Sequence, residues 1–369
     1  MRADAGRRST RLRIVRYYPR ALVGDGGMTS AVKKWSQGFV NAGADAVIAY
    51  DEGTEIPAPG GVEWRRVRHA GRPRMKWPVG LADILRGADV LVLHSGWTVH
   101  NLRAAAVARG LGVPYILEPR GAYDPHIVRR KRMLKRAWWL VWERRLVTEA
   151  RAVHVFFEAE RAHLDALGYR GPVIVASNGV EPPSGLRWDG GSGGYVLWLG
   201  RFDPEHKGLD LLLEGLRIVP PAERPSLRLH GPDWRSRKRT VEARVARLGL
   251  REWVTVGDPV YGEAKRALLA AASGFVYPSR WDACPNSALE AVSIGLPTLV
   301  TPYPLGRFFA ERGGALLAES DPAGLGDGLR RLVAPDAAAV GRRGAELVRE
   351  ELDWDSVARS WLAQVEELV

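Results

Sequence analysis

Short apolar runs, each bounded by glycine, proline or polar residues, alternate with helix-periodic stretches along almost the whole chain. No other feature constrains the fold as much. The runs fall at residues 12–18, 46–50, 90–94, 113–117 and 153–157, and again at 195–199, 227–230, 254–256, 275–277 and 298–300. Strands this short and this continuously apolar are buried on both faces, and a chain that alternates them with helices builds a parallel sheet covered by helices on each side. The first run leads into a Gly24-Asp25-Gly26-Gly27 turn. A helix with Val32, Trp35, Phe39 and Val40 on one face follows, closed by Gly43. Further helical stretches are expected near 101–110 and 129–149.

A chain of 369 residues has room for two such domains. The boundary falls after Asn178, where 181–194 is rich in glycine, proline and serine and reads as a linker. The expected division is a disordered tail at 1–10, a first domain at 11–180, a second at 195–352 and a terminal segment at 353–369. In that last segment Val357, Trp361, Val365 and Leu368 lie at near-helical spacing, so an amphipathic helix needs a surface to cover. Asp355 reads as its N-cap and Trp354 as packing, which leaves Asp353-Trp354-Asp355 without a metal-binding role. Two facing α/β domains leave a cleft, and ligands of such sheets bind at the carboxyl ends of the strands.

Composition narrows the function classes. Hydrophobic residues are 46% and charged residues 26%, as in ordinary globular proteins, which excludes a disordered or fibrous chain. The single cysteine, Cys284, excludes an internal disulfide and a cysteine-rich zinc site, and points to a reducing, intracellular setting. A net charge of +12 admits nucleic acid, anionic lipid and phosphorylated small molecules without choosing among them. The basic amino terminus has no apolar core behind it, and no uninterrupted apolar stretch reaches the roughly 18 residues of a spanning helix. Export and membrane spanning are therefore not expected.

Two stretches carry chemistry. In the first, a strand ends at Gly200, Arg201 stands at its carboxyl end, and Lys207-Gly208 precedes a helix; two cations beside a helix start suit a diphosphate. A solvated loop reads equally well from this segment alone. In the second, the strand 275–277 runs into a loop bearing Asp282 and Cys284, and Pro285 opens a helix with Asn286, Ser287 and Glu290. Backbone N–H groups at such a start suit an anion, and the two carboxylates can accept hydrogen bonds from sugar and ribose hydroxyls. No Ser-His-Asp set, zinc spacing, phosphate loop or interleaved aromatic-basic RNA module is present.

On these motifs the chain resembles the retaining GT-B glycosyltransferases of family 4, the group 1 glycosyltransferases, over nearly its whole length. Gly200, Arg201, Lys207 and Gly208 match the family's donor-diphosphate segment. Asp282 and Glu290 match its paired acids, with Asp in place of the first Glu. Asn178-Gly179-Val180 matches the domain junction, Gly231-Pro232 a turn in the second domain, and Gly26-Gly27 a glycine loop near the donor phosphates and acceptor. The resemblance implies two doubly wound Rossmann-like α/β domains facing each other, with the terminal helix crossing back to the first. It also implies transfer of a sugar from a UDP- or GDP-linked donor to an acceptor hydroxyl, with no metal or other cofactor.

In the resembling enzymes Asp282 would hold the donor sugar, Glu290 the ribose, and Arg201, Lys207 and the helix start the leaving diphosphate. Family members often carry Pro-His-Gly where this chain has Pro119-Arg120-Gly121, the histidine contacting the donor sugar. His94, in His94-Ser95-Gly96-Trp97, resembles a family element; it reads as a catalytic residue facing the cleft or as a strand-end histidine, and Trp97 as an acceptor contact. Arg120 reads as the ligand of an anionic acceptor group or as a structural ion pair with Glu118 or Asp124. The run 129–145, with its cations and Trp138, Trp139 and Trp142, reads as a peripheral contact with the inner face of an anionic membrane carrying a lipid-linked acceptor, or as a solvated basic face. The remaining alternatives are a nucleotide-sugar epimerase or phosphorylase on the same fold, and a basic nucleic-acid-binding protein.

Overall fold

A computed structural model describes residues 11–19, 27–50, 60–71, 77–181 and 185–369. The chain divides into two compact units, the first made of 1–155, 161–176 and 354–369 and the second of 156–160 and 177–353. The first contains strands β1 (Arg13–Tyr18), β2 (Asp45–Tyr50), β3 (Glu63–Arg66), β4 (Arg68–Ala70), β5 (Trp77–Val79), β6 (Val90–His94), β7 (Tyr115–Glu118), β8 (Ala152–Val155) and β9 (Val173–Val175). Seven of them form a sheet in the order β3-β2-β1-β6-β7-β8-β9, every neighbouring pair parallel, while β4 and β5 pair as a small antiparallel ribbon. The sheet is dry: Ile14, Val15 and Tyr17 of β1 and Val90 to Leu93 of β6 are fully buried.

The helix Gly27–Asn41 buries Val32, Trp35 and Phe39 and covers one face of this sheet. The terminal helix Trp354–Glu366 belongs to the same unit and lies beside it, with the Phe39 and Trp361 rings 4.7 Å apart. Asp355 does not cap that helix, whose first residue is already Trp354; its carboxylate accepts from Asn41 Nδ2 at 3.1 Å, because the neighbouring helix presents a donor there.

The second unit holds β10 (Tyr195–Leu199), β11 (Ser226–His230), β12 (Val254–Gly257), β13 (Gly274–Tyr277), β14 (Thr298–Val300) and β15 (Leu316–Leu317), parallel throughout in the order β12-β11-β10-β13-β14-β15. In both sheets the strand order reverses beside the first strand, between β1 and β6 and between β10 and β13. That is the topological switch point at which open α/β sheets bind ligands.

Two expectations change. The segment 181–194 is no free linker where it is described: Trp188 N donates to Ile294 O, its Nε1 donates to Ala272 O at 2.7 Å, and Asp189 N donates to Ala270 O. A half-buried tryptophan with three such anchors around it fixes a glycine-rich chain against the second unit. The stretch 129–149 is not one helix. It comprises Pro125–Arg129, Arg132–Trp138 behind a left-handed Lys131, a π-helical turn Trp139–Glu143, and Arg144–Thr148.

Candidate active site

In the second unit, the loop after β10 and the loop after β13 flank the switch point and bring most of the sequence candidates together. Two glycines let the backbones approach. A Cβ on Gly231 would collide with the Gly200 carbonyl, and one on Gly208, whose φ is +64°, with the Pro278 carbonyl. Gly208 is the N-terminal flanking residue of the helix Leu209–Ile218, so its left-handed turn delivers Lys207 back toward the β13 loop.

Lys207 is buried to 7% exposure and its ammonium pairs with the Asp282 carboxylate, which also accepts from Tyr277 Oη at 3.0 Å. Burial by itself would raise the Asp282 carboxyl, but the Lys207 charge and these hydrogen bonds hold it below the usual carboxylate range. Burial next to Asp282 pushes the Tyr277 hydroxyl well above its ordinary value, so it stays a donor.

Arg201 stands at the end of β10 with its guanidinium 4.8 Å from the Trp234 ring and NH2 3.2 Å from His206 Nδ1. Pro285 flanks the helix Asn286–Ser293 in an extended conformation; Ser287 Oγ donates to Leu199 O at 2.9 Å, tying the helix start to the end of β10. Asn286 Oδ1 accepts from Asn178 Nδ2 at 3.3 Å, and Cys284 lies partly buried in the same loop. Glu290, a turn further on, has a partner of its own: Lys265 Nζ lies 2.8 Å from its Oε2. Two cations and a helix start thus stand on the two adjoining loops, with one ionised acid paired to one of the cations, an arrangement whose charge and N–H donors suit an anion. Among the described residues no set of three His, Cys, Asp or Glu side chains is grouped to hold a metal ion.

Comparison with known proteins meets this geometry from both ends of the chain. The family described as "Glycosyl transferases group 1" matches residues 193–335, and "Glycosyl transferase 4-like domain" matches residues 26–179. The chain belongs to the group 1 glycosyltransferases. Mannosylfructose-phosphate synthase of Agrobacterium fabrum is 32% identical over 190 residues, 48% of this chain and 41% of that protein, so the match spans less than half of that relative. Sucrose-phosphate synthase from Thermosynechococcus elongatus has a TM-score of 0.74 at 18% identity, over 97% of this chain and 99% of that one. Anabaena HepE in complex with UDP and glucose has a TM-score of 0.73 at 14% identity, over 97% and 100%. These likenesses fix the GT-B fold.

In this group 1 glycosyltransferase the first-unit candidates collect at the carboxyl ends of β6 and β7. His94 and Glu118 are register partners there, both essentially buried. Glu118 is the hub: Arg16 NH2 lies 2.9 Å from Oε2, His94 Nδ1 3.1 Å from Oε2, and Arg120 NH2 2.6 Å from Oε1. Burial would raise Glu118, but Arg120, His94 and Arg16 hold it well below its ordinary range. Burial also drives the His94 imidazole down to about 3 and His154 to about 4, against the pull of Glu118, so both rings are neutral at pH 7. Arg120 therefore takes the ion pair with Glu118 that the sequence left open, its side chain 7% exposed.

Ser95, Trp97 and Arg120 are three of the non-glycine residues with positive φ (68°, 62° and 52°), and such strain gathers at functional loops. Trp97 N donates to Glu143 Oε1 at 2.7 Å; Tyr123 Oη and Trp138 Nε1 donate to the same buried carboxylate at 2.8 Å each. Glu143 is the last residue of the π-helical turn Trp139–Glu143. Gly27 is the exposed first residue of its helix, whereas Gly26 lies outside the described residues. Sequence reading missed Tyr277, His206, Glu143 and Lys265; the first two stand inside the quoted motifs, next to Lys207 and Asp282 in sequence or space, but nothing local marks the others.

Proposed function

We propose that the chain transfers a sugar from a UDP-linked donor to an acceptor hydroxyl, with retention at the anomeric carbon and without a metal ion. The observation that carries this is the meeting, at the β10/β13 switch point, of the loop bearing Arg201 and Lys207 with the loop and helix after β13, through the Lys207–Asp282 pair and the Ser287–Leu199 hydrogen bond. As the bond from the anomeric carbon to the diphosphate oxygen breaks, negative charge grows on that oxygen. Preorganised cations and backbone dipoles stabilise it there more than in the ground state. Asp282 orients Lys207 and reaches the donor sugar, Glu290 holds the ribose, and the loops after β6 and β7 take the acceptor. The choice of UDP over GDP is supported by the Anabaena HepE complexes with UDP and UDP-glucose. The test is UDP release and product formation over a panel of nucleotide sugars, with excess EDTA, and the anomeric configuration of the product by NMR. Turnover that vanishes in chelator and returns with manganese or magnesium would remove the metal-free part, and an inverted product the retaining part.

A lipid-linked acceptor at an anionic, cytoplasm-facing membrane surface is favoured by one further observation. Met133, Leu134, Leu140, Val141 and Trp142 are 47–78% exposed, among exposed Arg129, Arg132, Arg136, Arg144 and Arg145. Apolar side chains flanked by cations suit the headgroup boundary of an acidic bilayer. No helix among the described residues is long and apolar enough to cross it. Flotation with vesicles of rising phosphatidylglycerol content should carry the protein up at low salt; failure to float at any acidic content would dismiss this reading.

A further inference from the structure

His206 stands between the donor-site cations and has a fixed protonation pattern. Its Nε2 is 2.6 Å from the Trp281 carbonyl oxygen, which only accepts, so Nε2 carries the hydrogen. Its Nδ1 is 3.2 Å from Arg201 NH2. The imidazole is stacked on the Trp281 indole, 4.8 Å between centroids and 4° from parallel, which holds the ring plane. Burial, with Lys207 and Arg201 nearby, lowers the imidazole to about 4, so the ring is neutral and Nδ1 offers a lone pair. A protonated ring would instead turn an N–H toward the guanidinium.

The Arg201 guanidinium also lies 4.8 Å from the centre of the Trp234 ring, and its Nε is buried with no hydrogen-bond partner. On the same loop, Asp203 Oδ2 lies 3.8 Å from His206 Nδ1, while Asp203 Oδ1 accepts from Arg237 NH1 at 2.9 Å. The guanidinium is thus fixed by a neutral acceptor and an aromatic face. An acidic partner would have neutralised the charge a diphosphate needs; a neutral acceptor orients the fork and leaves its charge intact.

We infer that His206 is a positioning residue that aims Arg201 at the donor diphosphate. This rests on the reading of Arg201 as a diphosphate ligand, and the experiment separates the two. UDP and uridine affinities are measured by titration calorimetry for the wild type, Arg201→Ala, His206→Phe, His206→Asn and the double variant Arg201→Ala/His206→Phe, each checked by thermal melting. Phenylalanine keeps the stack on Trp281 and removes the acceptor, and the Trp281 carbonyl still accepts from Ser279 Oγ at 3.1 Å. Asparagine returns an acceptor oxygen near the Nδ1 position.

Loss of one charge-assisted hydrogen bond predicts UDP binding weakened about tenfold in His206→Phe. Uridine binding should stay unchanged, Asn should recover most of the loss, and the Arg201→Ala background should show no further effect of Phe. Wild-type UDP affinity in His206→Phe, or an equal additional loss in the Arg201→Ala background, overturns the positioning role while leaving the diphosphate site standing. Unchanged UDP affinity in Arg201→Ala overturns the site reading itself, and with it the role of His206.

Discussion

Lys207 is nearly buried, and its ammonium survives there because Asp282 is beside it. Removing one member of such a pair leaves the other charge poorly solvated, whereas removing both is cheaper. Lys207→Met should therefore lower the melting temperature, and Lys207→Met/Asp282→Asn should recover most of it without recovering turnover. Recovery of turnover in the double variant would deny Lys207 its part in the reaction. Arg120 is held by the same logic on Glu118, in a left-handed backbone conformation. Arg120→Ala should cost melting temperature and reduce activity equally on charged and neutral acceptors; a loss confined to acceptors with an anionic group would make Arg120 a specificity residue instead. Three imidazoles, buried His94 and His154 and partly buried His206, are held neutral with values of about 3, 4 and 4. In the unfolded chain each binds a proton near its ordinary value of about 6.5. Since the unfolded state binds more protons throughout that interval, stability falls as pH drops from about 6.5 toward 4. Denaturant unfolding at pH 7.5, 6 and 5 should show a steady decline that is shallower in His154→Phe; an unchanged slope would count against this assignment.

At the scale of elements, switch-point geometry makes the site. The loops after β10 and β13 meet because both strands run parallel with their carboxyl ends together and β11 has been wound to the other side. Their close approach depends on Gly208, where any side chain would meet the Pro278 oxygen, and Gly231 lets the turn after β11 pass the Gly200 oxygen at the end of β10. Gly208→Ala combines that collision with a left-handed φ, so UDP affinity should fall by an order of magnitude or more while the helix Leu209–Ile218 persists by circular dichroism. Intact UDP binding in that variant would mean that the loop can be rebuilt. The π-helical turn Trp139–Glu143 ends on a buried carboxylate that accepts from Trp97, Tyr123 and Trp138 at once.

Across the whole molecule, the first unit is finished only when residues 354–369 return to it. Trp361 is fully buried beside Phe39 and Trp35, so Trp361→Ala opens a large cavity and should cost about 3–5 kcal/mol. Hydrogen exchange should then speed up in β1 and β6 while β10 and β13 keep their protection. Equal loss in both sheets would mean that the two units unfold together. The +12 net charge acts at this scale too, as a long-range field attractive to anions that salt screens.

The sequence by itself determined the two parallel α/β units, the placement of Arg201 at the end of β10 and of Lys207 just before a helix, and the helix start after Pro285, because strand runs, turn glycines and caps are local signals. Its expectations for β7 and for the long helix over 129–149 missed the details, since β7 begins two residues later and that helix is divided by what packs on it. The edge strands β3 and β15, too polar or too short to announce themselves, also went unseen. Only tertiary structure decided that Lys207 meets Asp282, 75 residues away, and that Arg16 and Arg120 share Glu118. It alone seated 185–194 on the second unit and placed His206 against Arg201 with its lone pair turned inward. The physical reason is the same in each case: burial makes an ionic or hydrogen-bonding group depend on whatever partner folding brings beside it, and no periodicity in the chain encodes that partner.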